Sequence, residues 1–127
     1  MKYKDITHKI IGIAMKVHFE IGFGFQEVIY QRCLRIEFER SGIQYVREFE
    51  MPVLYKNTQV GTRRVDFLIE QKIMLEIKAI SELTDTHLAQ AKNYLEAYNL
   101  ETGLLINFGA PSLEFKRLYG KHDLNQD

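Results

Sequence analysis

Asp66, Glu76 and Lys78 sit inside Arg63–Lys78, a stretch otherwise dominated by Val, Phe, Leu, Ile and Met. Carboxylates within apolar strands carry a desolvation cost unless something compensates them. The stretch reads as two short strands joined by the polar turn Glu70-Gln71-Lys72. Side chains alternate along a strand, so Glu76 and Lys78 project from one face, roughly 7 Å apart. Asp66, on the preceding antiparallel strand, can meet Glu76 across the ladder. Two converging carboxylates repel each other unless a proton or a cation intervenes. Hard oxygen donors that leave room for water suit Mg²⁺ or Mn²⁺. Such an ion polarises a phosphate oxygen and activates a bound water. A lysine beside it orients that water or neutralises the developing charge. The chemistry expected of the three residues together is phosphodiester hydrolysis. Arg64 shares the Asp66 face by the same alternation and is expected on the site side, as a contact to a phosphate backbone. Arg63 is open to the same role or to pairing with a carboxylate.

Taken alone, Asp-x₉-Glu-x-Lys is a loose pattern that also suits a solvated ladder of ion pairs. Met74 and Ile80 flank Glu76 and Lys78 on the same face, which is not a solvent-facing pattern. Glu27 and the stripe His87, Gln90, Tyr94 add polar groups on helices expected to cover the sheet. Glu27 also suits a solvent-facing first helical turn, where a negative charge meets the helix dipole. Tyr30 is expected to buttress Glu27 or pack in the core. His87 has no second histidine or cysteine at ligand spacing, which argues against zinc. Cys33 falls on the apolar side of a helix and reads as core, without an activating partner.

The elements that must position these residues follow from periodicity. Ile6, Ile10, Ile13 and Val17 recur at helical spacing and predict a helix over 5–21, stopped by Gly22-Phe23-Gly24. A second helix is expected over 26–40, with Ile29, Cys33 and Ile36 on one side and Tyr30, Leu34 and Phe38 beside them. Strands follow over 45–55, where Pro52 suggests an edge or a bulge, then over 60–69 and 73–80. The third is nearly all apolar, as in a strand covered on both faces. Thr84 or Asp85 can cap a helix reaching Tyr98, with Leu88, Ala91, Leu95 and Tyr98 as its apolar stripe. Further strands are expected over 103–108 and 113–119. Short turns make the first three strands antiparallel, and a helical crossover makes the third and fourth parallel.

Composition sets outer limits. The chain has 127 residues, one domain's worth, with 46% hydrophobic and 27% charged residues, which supports a real core. Lys plus Arg and Asp plus Glu are both 17, so the net charge is zero, unlike a polybasic nucleic-acid binder. A local basic face and an acidic metal site can cancel in that sum. With one cysteine, no internal disulfide can form. The N-terminus has no signal-peptide pattern, so the expected location is cytoplasmic. No apolar run approaches the roughly 20 residues of a membrane span.

The order helix, three strands, helix, strand, with Asp66 followed by Glu76-Ile77-Lys78, resembles the PD-(D/E)XK nuclease superfamily. Gly24-Phe-Gln-Glu27-Val-Ile-Tyr30 resembles the signature of the GxxExxY protein family placed within it. The likeness continues through Arg64-Val-Asp66-Phe-Leu, Leu75-Glu-Ile-Lys78-Ala, Gln90-x₃-Tyr94-Leu and Leu104-Leu-Ile-Asn107-Phe-Gly109. Val65 stands where the name-giving proline would be. The fold this implies is α/β (α+β): a restriction-endonuclease-like αβββαβ core, a mixed four- to five-stranded sheet flanked by helices, with an extra N-terminal helix. Residues 1–120 would form one nuclease-like domain and 121–127 a polar tail. The resemblance implies Asp66 and Glu76 as metal ligands, the backbone carbonyl of Ile77 as a third, and Glu27 as an extra acidic residue near the metal. It implies Lys78 as the catalytic lysine. Gln90 and Tyr94 match a Gln-x₃-Tyr motif that supports the site or contacts nucleic acid. Mg²⁺ or Mn²⁺ is the implied cofactor and nucleic acid, DNA rather than RNA, the implied partner, with no membrane. A homodimer is compatible with cutting two strands, though no residue specifies one. The alternative is a catalytically inert module that keeps the nuclease fold for protein or nucleic-acid binding.

Overall fold

The computed structural model describes residues 3–120. The polar tail expected over 121–127 lies outside the described residues. Helix α1, Lys4–Ile21, buries Ile10, Ile11, Ala14 and Val17 along one stripe. It stops at Gly22, whose φ of 75° with an extended ψ is glycine territory, and whose N–H donates to the His18 carbonyl. Helix α2, Glu27–Ser41, buries Tyr30, Gln31, Leu34 and Phe38 and ends on the left-handed Gly42. Its buried face is thus the Tyr30–Leu34–Phe38 stripe, while Cys33 is half-buried and Ile36 is exposed.

Five strands follow: β1 Tyr45–Tyr55, β2 Thr58–Ile69, β3 Ile73–Lys78, β4 Thr102–Asn107 and β5 Glu114–Tyr119, with α3, Asp85–Ala97, between β3 and β4. They form one mixed sheet in the order β1-β2-β3-β4-β5. β3 and β4 are parallel and every other neighbouring pair is antiparallel. This is an α+β fold consistent with a restriction-endonuclease-like core. β1 is an edge strand, and its register shifts between Val53 and Leu54, next to Pro52. The missing N–H of proline is tolerated at such a place.

The third strand ends at Lys78 rather than Ile80. The buried Asn107 takes over the backbone of Ile80: its Oδ1 accepts the Ile80 N–H, and its Nδ2 donates to the Ile80 carbonyl, each at 2.9 Å. Its Nδ2 also donates to Glu114 Oε1, which accepts the Leu83 N–H. Gly109 lies so close to this segment that a Cβ would come within 2.3 Å of Ile80 backbone atoms. The chain leaving β3 is therefore tied to β4 and β5 before it enters α3.

Two apolar layers sandwich the sheet. Ile69, Ile73, Leu75, Ile77, Leu104, Ile106 and Phe108 pack under α1 and α2. Val65, Met74, Leu105 and Leu118 pack under Ala91, Leu95 and Tyr98 of α3. No described helix is long and apolar enough to cross a membrane.

Candidate active site

The smaller layer opens at the C-terminal end of β3. Met74 lies within it, and two and four residues on, Glu76 and Lys78 line a narrow cleft with Leu105. His87, Gln90, Ala91 and Tyr94 close the cleft from α3, and Arg63 closes it from β2. α3 is anchored at its start by Thr84, whose Oγ1 accepts the His87 N–H while His87 Nδ1 accepts the Thr84 N–H. His87 is thereby a capping residue as well as part of the cleft wall. Gln90 is exposed at the rim.

Asp66 sits where β2 and β3 part. Their ladder runs only from Phe67–Leu75 to Ile69–Ile73. Beyond it Asp66 Oδ2 accepts the Ile77 N–H at 2.6 Å, so a side chain replaces the next ladder bond. Asp66 Oδ1 accepts from Gln31 Nε2 at 3.0 Å, and Gln31 Oε1 in turn accepts from Arg47. α2 and β1 thus orient Asp66 through one amide. Gln31 was not anticipated from the sequence. The available signal was a polar residue at a position of α2 that packs inward beside Tyr30 and Leu34.

The carboxylates crowd one another. Burial pushes the Glu76 carboxyl up to about 8, and Asp66 beside it pushes the same way, against Arg63 and Lys78. Glu27, half-buried in the first turn of α2, is also raised, by burial first and then by Asp66. The turn before α2 is held by Tyr30, which donates to the Gly22 carbonyl at 2.7 Å and accepts the Phe25 N–H. The Tyr30 ring stacks on Phe108 at 4.6 Å, tying this turn to the main core.

Arg63 takes the carboxylate pairing left open for it, and Arg64 falls outside the cleft. Arg63 donates to Glu76 Oε1 at 3.1 Å and lies 3.8 Å over the ring of Tyr94. Arg64 is exposed and faces Glu48 at 3.8 Å, outside the cleft. Strict alternation put Arg64 with Glu76, but alternation does not hold through Asp66. Val65 belongs to the layer under α3 and Phe67, two residues on, to the layer under α1 and α2. Glu48, between the paired residues Arg47–Phe67 and Phe49–Val65, adopts a left-handed φ of 56°. The same face change appears there, since Tyr45 packs with the larger layer and Phe49 with the smaller.

Asp66 and Glu76 are hard oxygen donors, and Mg²⁺ commonly takes one or two protein carboxylates, leaving its other positions to water and phosphate. The mutual repulsion that raises Glu76 is what a cation would relieve, so the pair fits such an ion in kind. Among the described residues, no three His, Cys, Asp or Glu side chains are grouped as a protein-only metal cage.

The sequence matches the family model of the PD-(D/E)XK nuclease superfamily over residues 4–118. The chain belongs to that superfamily. This PD-(D/E)XK protein also resembles the crystal structure of SSO0001, with a TM-score of 0.58 at 17% identity. The match covers 98% of this chain and 61% of that one, so the chain spans under two thirds of that protein's length. At this identity the likeness is one of fold. No curated protein matches the sequence significantly. Nucleases of that superfamily generally cleave nucleic acid with a divalent metal, typically Mg²⁺.

Proposed function

We propose that this protein is a Mg²⁺- or Mn²⁺-dependent nuclease acting on DNA. The observation that carries the reading is the convergence of Asp66 and Glu76 beside Lys78 at the open end of β3, with Glu76 raised by burial and by Asp66. Asp66, Glu76 and the Ile77 carbonyl would hold the metal, and Glu27 would add a nearby carboxylate. The bound ion supplies Lewis-acid polarisation of a phosphate oxygen and a water of lowered pKa. Lys78 orients the attacking water and offsets charge that grows on the phosphate. Gln90, at the cleft rim, helps position that water. Tyr94 and the exposed Arg64 contact the nucleic acid. The free thiol of Cys33 and the absence of any disulfide suit a reducing cytoplasm. A homodimer would supply two such sites to a duplex.

The test is cleavage of single-stranded, duplex and branched DNA with and without Mg²⁺. Wild type should cut only with metal, and Lys78→Ala should cut slower by about 10² to 10³-fold, the usual range for a lost charge-stabilising donor. Wild type that fails to cut in Mn²⁺ or Mg²⁺, or a Lys78→Ala variant that cuts at the wild-type rate, would sink the reading.

A further inference from the structure

Arg63 is held on two sides of the cleft and keeps one donor unpaired, while its Nη1 donates to the Arg64 carbonyl at 3.4 Å. Its Nη2 donates to Glu76 Oε1 at 3.1 Å, its guanidinium lies 3.8 Å over Tyr94, and its Nε is buried with no acceptor among the described residues. The carboxylate it holds, Glu76, is only 5% exposed. Arg63 therefore occupies the Oε1 lone pair that a metal would take. A divalent cation on the same carboxylate would stand within a few ångströms of the guanidinium, where like charges repel strongly because little water intervenes. The two cations compete for Glu76.

Arg63 also has somewhere to go. The aromatic face of Tyr94 retains a guanidinium without needing the ion pair. The cleft on that side is bordered by Lys78, His87 and Gln90 and holds no second carboxylate of its own among its lining residues. A planar guanidinium is suited to two parallel hydrogen bonds with a phosphate, and the orphaned Nε would gain an acceptor there.

We propose that Arg63 is an exchangeable placeholder on Glu76: it holds Oε1 before metal binds, and metal binding releases it along Tyr94 to become a phosphate-binding side chain of the cleft. This rests on the metal site proposed above. It assigns to Arg63 the coupling between metal loading and substrate binding. Phosphate meets the full positive charge of the cleft only when the metal is in place.

Two measurements on the intact protein test it. The first is calorimetric titration of Mn²⁺ into wild type, Arg63→Gln, Arg63→Lys and Glu76→Gln, then of inorganic phosphate into each metal-saturated protein. Arg63→Gln should bind Mn²⁺ about tenfold tighter, because the competing charge is gone, and phosphate about tenfold weaker. Arg63→Lys keeps the charge and should stay near wild type for Mn²⁺ while losing part of the phosphate affinity. Melting curves show whether each variant is folded, and Arg63→Lys carries the test if Arg63→Gln is not. The second is the Nε–Hε resonance of Arg63, which the Tyr94 ring current shifts upfield. Saturating Mg²⁺ should move it, and Glu76→Gln should already show the released position without metal. Equal Mn²⁺ affinities in wild type and Arg63→Gln, with an Arg63 resonance indifferent to Mg²⁺, would overturn the exchange while leaving a Glu76-dependent metal site standing. Absence of Glu76-dependent Mn²⁺ binding in wild type and Arg63→Gln alike would remove the metal reading, and this inference with it.

Discussion

Leu75 and Glu76 are neighbours on β3, at 0% and 5% exposure, and point into opposite layers. Leu75 enters the larger layer with Ile73, Ile77, Leu104 and Ile106, under helices whose inward face is mostly apolar, with Thr7 and Gln31 as its buried polar residues. Its neighbours there are aliphatic and aromatic, including Phe38 edge-on to Phe67 at 5.3 Å. Glu76 enters the smaller layer, which α3 covers only in part, and meets charge instead: Arg63, Lys78 and Asp66. One face of the strand holds the sheet together, and the other accepts an electrostatic cost. Strand periodicity lets both occur on six consecutive residues without either disturbing the other.

The contrast can be broken from either side. Leu75→Ala should have the largest effect on stability, about 2–5 kcal/mol, because it leaves a cavity in a closed layer. Chemical denaturation would check this, and a loss under about 1 kcal/mol would mean that the larger layer collapses around the gap. Glu76→Gln should do the reverse and relieve the apo protein at neutral and alkaline pH. The Glu76 pKa is raised on folding, to about 8, so the folded state holds a proton that the unfolded chain has lost. The resulting stabilisation is fully present below the unfolded value near 4.5 and is lost as pH rises through 8. Glu27 contributes with the same sign. Metal-free wild type should therefore melt at progressively lower temperature from pH 5 to pH 8, with a slope of up to about 1.4 kcal/mol per pH unit from Glu76. The slope should flatten in Glu76→Gln; parallel profiles in the two proteins would refute the assignment. Thr84→Ala should have the smallest effect. Loss of the α3 cap costs about 1 kcal/mol, seen as a drop of a few degrees in Tm, with metal affinity unchanged because the pair Asp66–Glu76 lies on other elements.

Much of this was legible because it is local. The alternation Ile73, Leu75, Ile77 against Met74, Glu76, Lys78 is written in consecutive residues, and the structure sorts them into those two faces. The helical stripes of α1 and α3 and the glycines that stop α1 and α2 are local in the same sense. The order of elements was enough for the mixed sheet, since short turns pair antiparallel strands and a helical crossover pairs parallel ones. The boundary at Lys78 was not legible, because Asn107, from a strand 27 residues beyond Ile80, takes the backbone bonds that would have extended β3.

The two arginines show where local reading stops. Sequence alone placed Asp66, Glu76 and Lys78 on adjoining strands with the charge to attract a cation, because residue type and period need no distant partner. Which arginine faces Glu76 depended on a change of face at Glu48 and Asp66, shared by β1 and β2 and imposed by packing against α3 on one side and α1 and α2 on the other. The orientation of Asp66 likewise depended on Gln31, brought to it from 35 residues away. Tertiary structure decided these because a side chain's direction at a distorted strand position is set by what packs against it, and no periodicity carries that information.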